Sequence, residues 1–143
     1  MHYFDTSFLV PLILPEATSA PIARFFQDLQ AEGMAVSHWT RVEFSSLLAR
    51  EVRMGGLSAE AACEADARFE SMVKESFTVI LPNSKDFDLA KEYLGRHETG
   101  LRAGDALHLA VTKNHGAEAM FSLDKALLRA GQILGVQVSE GIG

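Results

Sequence analysis

Short apolar runs alternate with longer stretches of helical period along this chain. The apolar runs at residues 1–4, 35–38, 77–81, 119–121 and 136–138 predict strands, and the segments 19–30, 40–53, 58–74, 85–95, 103–115 and 125–130 predict helices. Gly33, Gly55 with Gly56, Gly116 and Gly131 stand where helices would stop, while Thr40, Ser58 and Asn83 with Ser84 stand where they would be capped. This alternation is the pattern of βαβ units, which build a parallel sheet with helices on both faces. Right-handed crossovers then bring every strand's carboxyl end to one rim, where open α/β sheets bind their ligands.

Four acids fall at that rim although they are far apart in sequence. Asp5 closes the first strand in "HYFDTSFL", Glu43 enters the helix after the second in "SHWTRVEF", and Asp124 follows the fourth in "MFSLDKAL". Asp105 lies in the first turn of its helix and reaches the rim if that helix runs antiparallel to the strands. Each acid has an ordinary structural explanation: Asp5 as the cap of a short turn, Glu43 as partner of Thr40 in a capping box, Asp105 and Asp124 as first-turn acids favoured by the helix dipole. Together they are harder to explain that way, because four carboxylates at one rim repel one another and rise in pKa unless a cation neutralises them. Hard oxygen donors without a cysteine partner point to Mg²⁺ or Mn²⁺ rather than zinc.

Composition narrows the remaining choices. The chain has 143 residues, 48% hydrophobic and 22% charged, which suits one domain spanning residues 1–143 with a full core. A net charge of -6 argues against bulk attraction to nucleic acid, so any contact with a polyanion is local. The single Cys63 forms no internal disulfide and is expected to be a buried thiol. With no secretory signal in residues 1–15 and no apolar run near the roughly 20 residues needed to cross a bilayer, a cytoplasmic location away from membranes is expected.

Other chemistries fit less well. Asp105 and His108 share a helix face, but a carboxylate-bridged metal bundle needs a second copy of that pair on another helix. His108, Thr112 and His115 form a polar stripe opposite Ala103, Ala106, Leu107, Ala110 and Val111, which predicts a solvated face. "DTS" lacks the glycines of a serine-hydrolase elbow, and "RMGGLS" lacks the spacing and lysine of a phosphate-binding loop. Trp39 and Phe44 flank Glu43 and could stack on a base, although aromatics beside a strand end usually belong to the core.

The blocks "FDTSFLVPLILPE", "TRVEFSSLLAR", "LRAGDALHLAVTKNHGA" and "MFSLDKAL" together resemble a PIN-domain ribonuclease, and more closely the VapC-type toxins of bacterial toxin–antitoxin pairs. The resemblance spans nearly the whole chain, with residues 55–76 contributing nothing to it. It implies a three-layer α/β/α fold with a central, mostly parallel five-stranded sheet, an acidic metal pocket, RNA as substrate, a small cognate antitoxin and a homodimer. On this resemblance Asp5, Glu43, Asp105 and Asp124 match the family's acids, Ser7 and Thr6 its hydroxyls beside the first Asp, and Ser122 the hydroxyl two before the last. Gly104 stands where alanine is commoner.

The expected chemistry is hydrolysis of a phosphodiester by metal-activated water. Asp5 and Asp105 hold one or two Mg²⁺ ions, Asp124 and Glu43 act directly or through water, and Ser7 and Ser122 hydrogen-bond the inner carboxylates. Arg41, Arg50 and Arg102 are candidate phosphate contacts. Two alternatives remain: a PIN nuclease of RNA processing rather than a toxin, and a receiver-like metal-binding regulatory module. The receiver expects adjacent acids after strand one, a phosphoacceptor after strand three and a late lysine, where this chain has "DTS", "LPNS" and none.

Overall fold

Tyr3 and Phe4 are neighbours in the first strand and point to opposite faces of a sheet, and that alternation sorts the core. The computed structural model describes residues 1–29 and 33–143. Its strands are β1 (His2–Phe4), β2 (Met34–Ser37), β3 (Thr78–Ile80), β4 (Ala119–Phe121) and β5 (Val138–Ser139), in the order β3-β2-β1-β4-β5 with every pairing parallel. Its helices are α1 (Thr6–Leu9), α2 (Ser19–Asp28), α3 (His38–Arg53), α4 (Ala59–Ser76), α5 (Ser84–Leu94), α6 (Ala103–Asn114) and α7 (Lys125–Leu134). Tyr3, Ala35 and Met120 face a layer built by α5, α6 and α7, while Phe4, Val36 and Phe121 face a layer built by α1 to α4. This is the three-layer α/β/α architecture the pattern predicts.

The strand order places the reversal of direction at β1, which lies between β2 and β4. Open α/β sheets bind ligands in the crevice at such a switch point. A receiver-like domain has the order 2-1-3-4-5, with the third strand beside the first. Here β3 lies at the sheet edge beyond β2, which excludes that alternative.

Several local expectations are corrected. β2 passes into α3 without a loop, so Ser37 rather than Thr40 is the N-cap; Thr40 sits three residues in and reaches back to the Ser37 amide. Glu43 therefore plays no part in the capping box. Gly131 does not end a helix: α7 runs on to Leu134 and stops at Gly135, whose φ of 73° is left-handed. Gly131 instead lies buried where a Cβ would come within 2.5 Å of Val138 Cγ1. Ser58 and Asn83 cap α4 and α5 as expected. The predicted end of α2 at Gln30 lies outside the described residues.

Cys63 is exposed, not buried. The buried stripe of α4 is Ala65, Phe69 and Val73, one residue per turn, and Cys63 sits two positions out of phase with it. The polar stripe of α6 is corrected in the opposite sense. His108 and Thr112 are buried, and His115 is half-buried with its Nε2 2.9 Å from Asp86 Oδ2. Asp86 has no exposed surface and also accepts from the Asn83 amide and Asn114 Nδ2, which with His115 hold its carboxyl below the usual range although burial acts to raise it. The helix is enclosed on nearly all sides, and its polar face is satisfied by protein instead of water.

Candidate active site

A cleft of about 240 Å³ at the switch point is lined by Asp5, Thr6, Ser7, Val10, Glu43, Leu47, Asp105 and Asp124. The four acids come from four places: the end of β1, the first turns of α3, the first turn of α6, and the N-cap of α7. The β1–β4 pairing brings Asp5 and Asp124 to the same end of the sheet, since the Asp5 amide bonds the Phe121 carbonyl at 3.1 Å.

Asp5 is held from every side. Its Oδ1 accepts from Ser7 Oγ at 2.8 Å and from the Phe8 amide at 3.2 Å, and its Oδ2 accepts from Ser122 Oγ at 2.8 Å. Ser7 in turn accepts from the Leu123 amide, and Ser122 from the Asp124 amide. These bonds lower the carboxyl's pKa, as does the charge of His108, but burial outweighs them and pushes it up to about 6. Asp105 is also raised, first by burial and then by the charges of Asp124 and Glu43. Asp124 spends Oδ1 on capping α7 through the Ala126 and Leu127 amides.

Glu43 sits in a different environment. Its Oε1 accepts from Thr6 Oγ1 at 2.6 Å and bonds His108 Nε2. Burial raises its pKa, yet His108, Thr6 and the adjacent Trp39 indole together hold it below the ordinary value. The buried indole N–H lies beside Glu43 Oε2 over Gly104, without the geometry of a full hydrogen bond. On its far side His108 Nδ1 lies 2.7 Å from the Tyr3 hydroxyl, which donates onward to Ser37 Oγ at 2.9 Å. Because the Tyr3 hydrogen goes to Ser37, Nδ1 must donate to Tyr3 while Nε2 donates to the carboxylate. With that assignment both ring nitrogens donate, which is the imidazolium form. Burial opposes the charge, but Tyr3, Glu43 and Asp5 lift the pKa to about 10.

His108, which the periodicity assigns to a solvated face, and Tyr3, on which the pattern is silent, belong to the site. The only available clue was the three-residue spacing from Asp105 to His108, which puts both on one face.

Gly104 explains how this packing is possible. A Cβ there would lie 2.8 Å from Glu43 Oε2 and 3.0 Å from Trp39 Nε1. Gly104→Ala is expected to displace the Glu43 carboxylate and lower activity roughly tenfold or more, with only a small change in melting temperature because the gain in helix propensity offsets part of the cost of the contact. Steady-state rates and thermal melts of the variant check both halves. Full activity would show that Glu43 tolerates the shift.

The arginines are dispersed. Arg41 is committed to Glu70 on α4, with Nη2 2.7 Å from Oε1, and also bonds His38. Arg50 is exposed in the last turn of α3, and Arg102 is exposed at the N-cap position of α6, where its charge partly offsets the rise at Asp105. Phe44 is fully buried and stacks on Phe69 at 4.1 Å, so it belongs to the core.

The donor set of the cleft, four carboxylates with serine and threonine hydroxyls, fits a hard divalent cation. Burial is the main cause of the raised pKa values of Asp5 and Asp105, and a bound cation would favour the charged form of both. In the positions seen, no three His, Cys, Asp or Glu among the described residues converge closely enough to enclose an ion. No described helix is long and apolar enough to cross a membrane.

Comparison with known proteins agrees with this architecture. VapC20 of Mycobacterium tuberculosis, a Sarcin-Ricin loop cleaving toxin, superposes with a TM-score of 0.69 at 23% identity, covering 92% of this chain and 95% of its own. FitAcB from Neisseria gonorrhoeae gives 0.75 at 17% identity, covering 99% and 98%. VapBC-1 from nontypeable Haemophilus influenzae gives 0.70 at 15% identity, covering 100% of both chains. No curated protein matches the sequence. The family model of the PIN domain matches residues 2–133, and with that match spanning most of its length the chain belongs to the PIN domain family.

Proposed function

We propose that this protein is a divalent-metal-dependent endoribonuclease, the toxin of a toxin–antitoxin pair, working in the cytoplasm on RNA and blocked by a small cognate antitoxin. The observation that carries the reading is the meeting of four carboxylates from distant segments in one cleft at the sheet's switch point. Membership of the PIN family and the description of the similar VapC20 as a Sarcin-Ricin loop cleaving toxin support it. Homodimer formation belongs to the same reading.

Asp5 and Asp105 would hold Mg²⁺ or Mn²⁺, with Asp124 and Glu43 contributing directly or through water. When bound, the cation acidifies a water and offsets charge on the attacked phosphate. The protein's own groups do the positioning. Ser7, Ser122 and the Phe8 amide fix both Asp5 oxygens. Asp124 caps α7 through Oδ1 while lining the cleft. Glu43 stays anionic because its pKa is held low, so it suits orienting the attacking water better than storing its proton.

One consequence is a pH dependence of metal affinity. A cation must displace the proton that Asp5 keeps until about pH 6. Affinity for Mn²⁺ is therefore expected to be flat above that pH and to fall about tenfold per unit below it. Titration calorimetry from about pH 5 to about pH 7.5 reads this out, and an affinity constant over that range would contradict it.

Induced expression tests the biological role. Growth arrest that is relieved by Asp105→Asn is the expected result. A harmless wild-type protein that still cuts RNA would favour a role in RNA processing.

A further inference from the structure

We propose that His108 is a positioning residue for the nuclease site: anchored through Tyr3 to Ser37, it fixes Glu43, a residue that lines the cleft, by one oxygen and leaves the other over Gly104. The proposal rests on the nuclease reading above and concerns how that site is held in shape.

Three observations converge on it. First, His108 is fully enclosed and has a partner on each ring nitrogen, Tyr3 at Nδ1 and Glu43 at Nε2. A ring held at both ends has one orientation, and a carboxylate bonded to it inherits that orientation. Second, the chain of bonds links the segments that deliver the acids: β1 leads into Asp5, β2 ends at Ser37 where α3 and Glu43 begin, and α6 carries both His108 and Asp105. Third, Thr6 Oγ1 donates to the same oxygen of Glu43 that His108 does, so both anchors act on Oε1. Oε2 is bound by neither anchor and lies beside the Trp39 indole, in the room that the missing Cβ of Gly104 leaves.

A purely structural histidine would make different demands. It could tie α6 to β1 through Tyr3 alone, with no need for a half-exposed carboxylate on a third element. Here the second ring nitrogen is directed to an acid that lines the cleft.

The test is a double-variant cycle on the purified full-length protein, read by Mn²⁺ affinity in calorimetry without RNA and by kcat on a model RNA, at a temperature where every variant is folded. His108→Asn is expected to weaken Mn²⁺ binding about 10- to 100-fold and to lower kcat more than it changes KM. In a Glu43→Gln background the same substitution is expected to add less than about twofold, because its effect passes through Glu43. Tyr3→Phe, which removes one hydroxyl and keeps the ring, should shift both readouts in the same direction by a few-fold, and it serves alone if His108→Asn does not fold. Equal losses in both backgrounds would overturn the proposal, as would unchanged affinity and kcat in a folded His108 or Tyr3 variant. If the wild-type protein neither binds Mn²⁺ nor cuts RNA, the nuclease reading itself fails and takes this proposal with it; wild-type binding with an insensitive His108 variant defeats the positioning role alone.

Discussion

Asp5→Asn is expected to lower metal-dependent RNA cleavage by at least about a hundredfold while raising the melting temperature of the metal-free protein by a few degrees. The loss follows from removing a negative oxygen that the cation would use. The gain follows from linkage. An acid whose pKa is raised on folding contributes nothing adverse below its unfolded value near 3.8, then costs stability progressively until about pH 6 and by a constant amount above it. That shift corresponds to roughly 3 kcal/mol at neutral pH. Asparagine removes the charge and keeps the shape: its oxygen still accepts from Ser7 and the Phe8 amide, and its amide can donate to Ser122 after that hydroxyl turns. Thermal melts without and with Mg²⁺, alongside a cleavage assay, separate the two effects. A large drop in melting temperature would mean that Asp5 serves mainly as the cap of α1.

Phe44→Ala is expected to cost about 3–5 kcal/mol of stability, a drop in melting temperature of more than about 10 °C. The ring has no exposed surface, lies parallel to Phe69 at 10° with centroids 4.1 Å apart, and ties α3 to α4 on the far side of the sheet from Tyr3. Its neighbour in sequence is Glu43, so the same substitution also loosens the helix that carries a site acid. Phe44→Leu, which refills most of the volume, should recover most of the stability. Chemical denaturation of both variants reads this directly. A loss below about 1 kcal/mol in Phe44→Ala would show that the ring is dispensable to the core and would reopen base stacking as its role.

The alternation of apolar runs and helical segments was sufficient for the fold, because parallel sheets buried on both faces are made of such runs and the strand ends then share a rim. Asp5, Glu43 and Asp124 could be placed by that logic alone, since each follows a strand within a few residues. Asp105 depended on the direction of α6, and Gly116, at a left-handed φ of 70°, supplies the turn that returns the chain into β4. The short helix α1 was out of reach, because four residues are too few to display a period. The histidines differ from the pattern for a related reason. Helical periodicity tells which residues share a face, but whether that face meets water depends on partners such as Tyr3, Glu43 and Asp86 that only the tertiary fold brings near. Cys63 failed in reverse: a thiol's usual preference for the interior gave way to a phase set by Ala65, Phe69 and Val73.

The departure from alanine at Gly104 takes on meaning in the same way. In the sequence it was an oddity at the start of a helix. In the structure it is the space that Glu43 Oε2 and the Trp39 indole occupy together.

The most direct measurement is cleavage of RNA by the purified wild-type protein and Asp105→Asn, each with Mg²⁺, with Mn²⁺ and with excess chelator. Cutting by the wild type that requires a divalent ion, stops with chelator and is lost in Asp105→Asn is the predicted result. Cutting that survives chelation, or that Asp105→Asn performs as well as the wild type, would contradict a nuclease site built from these four carboxylates.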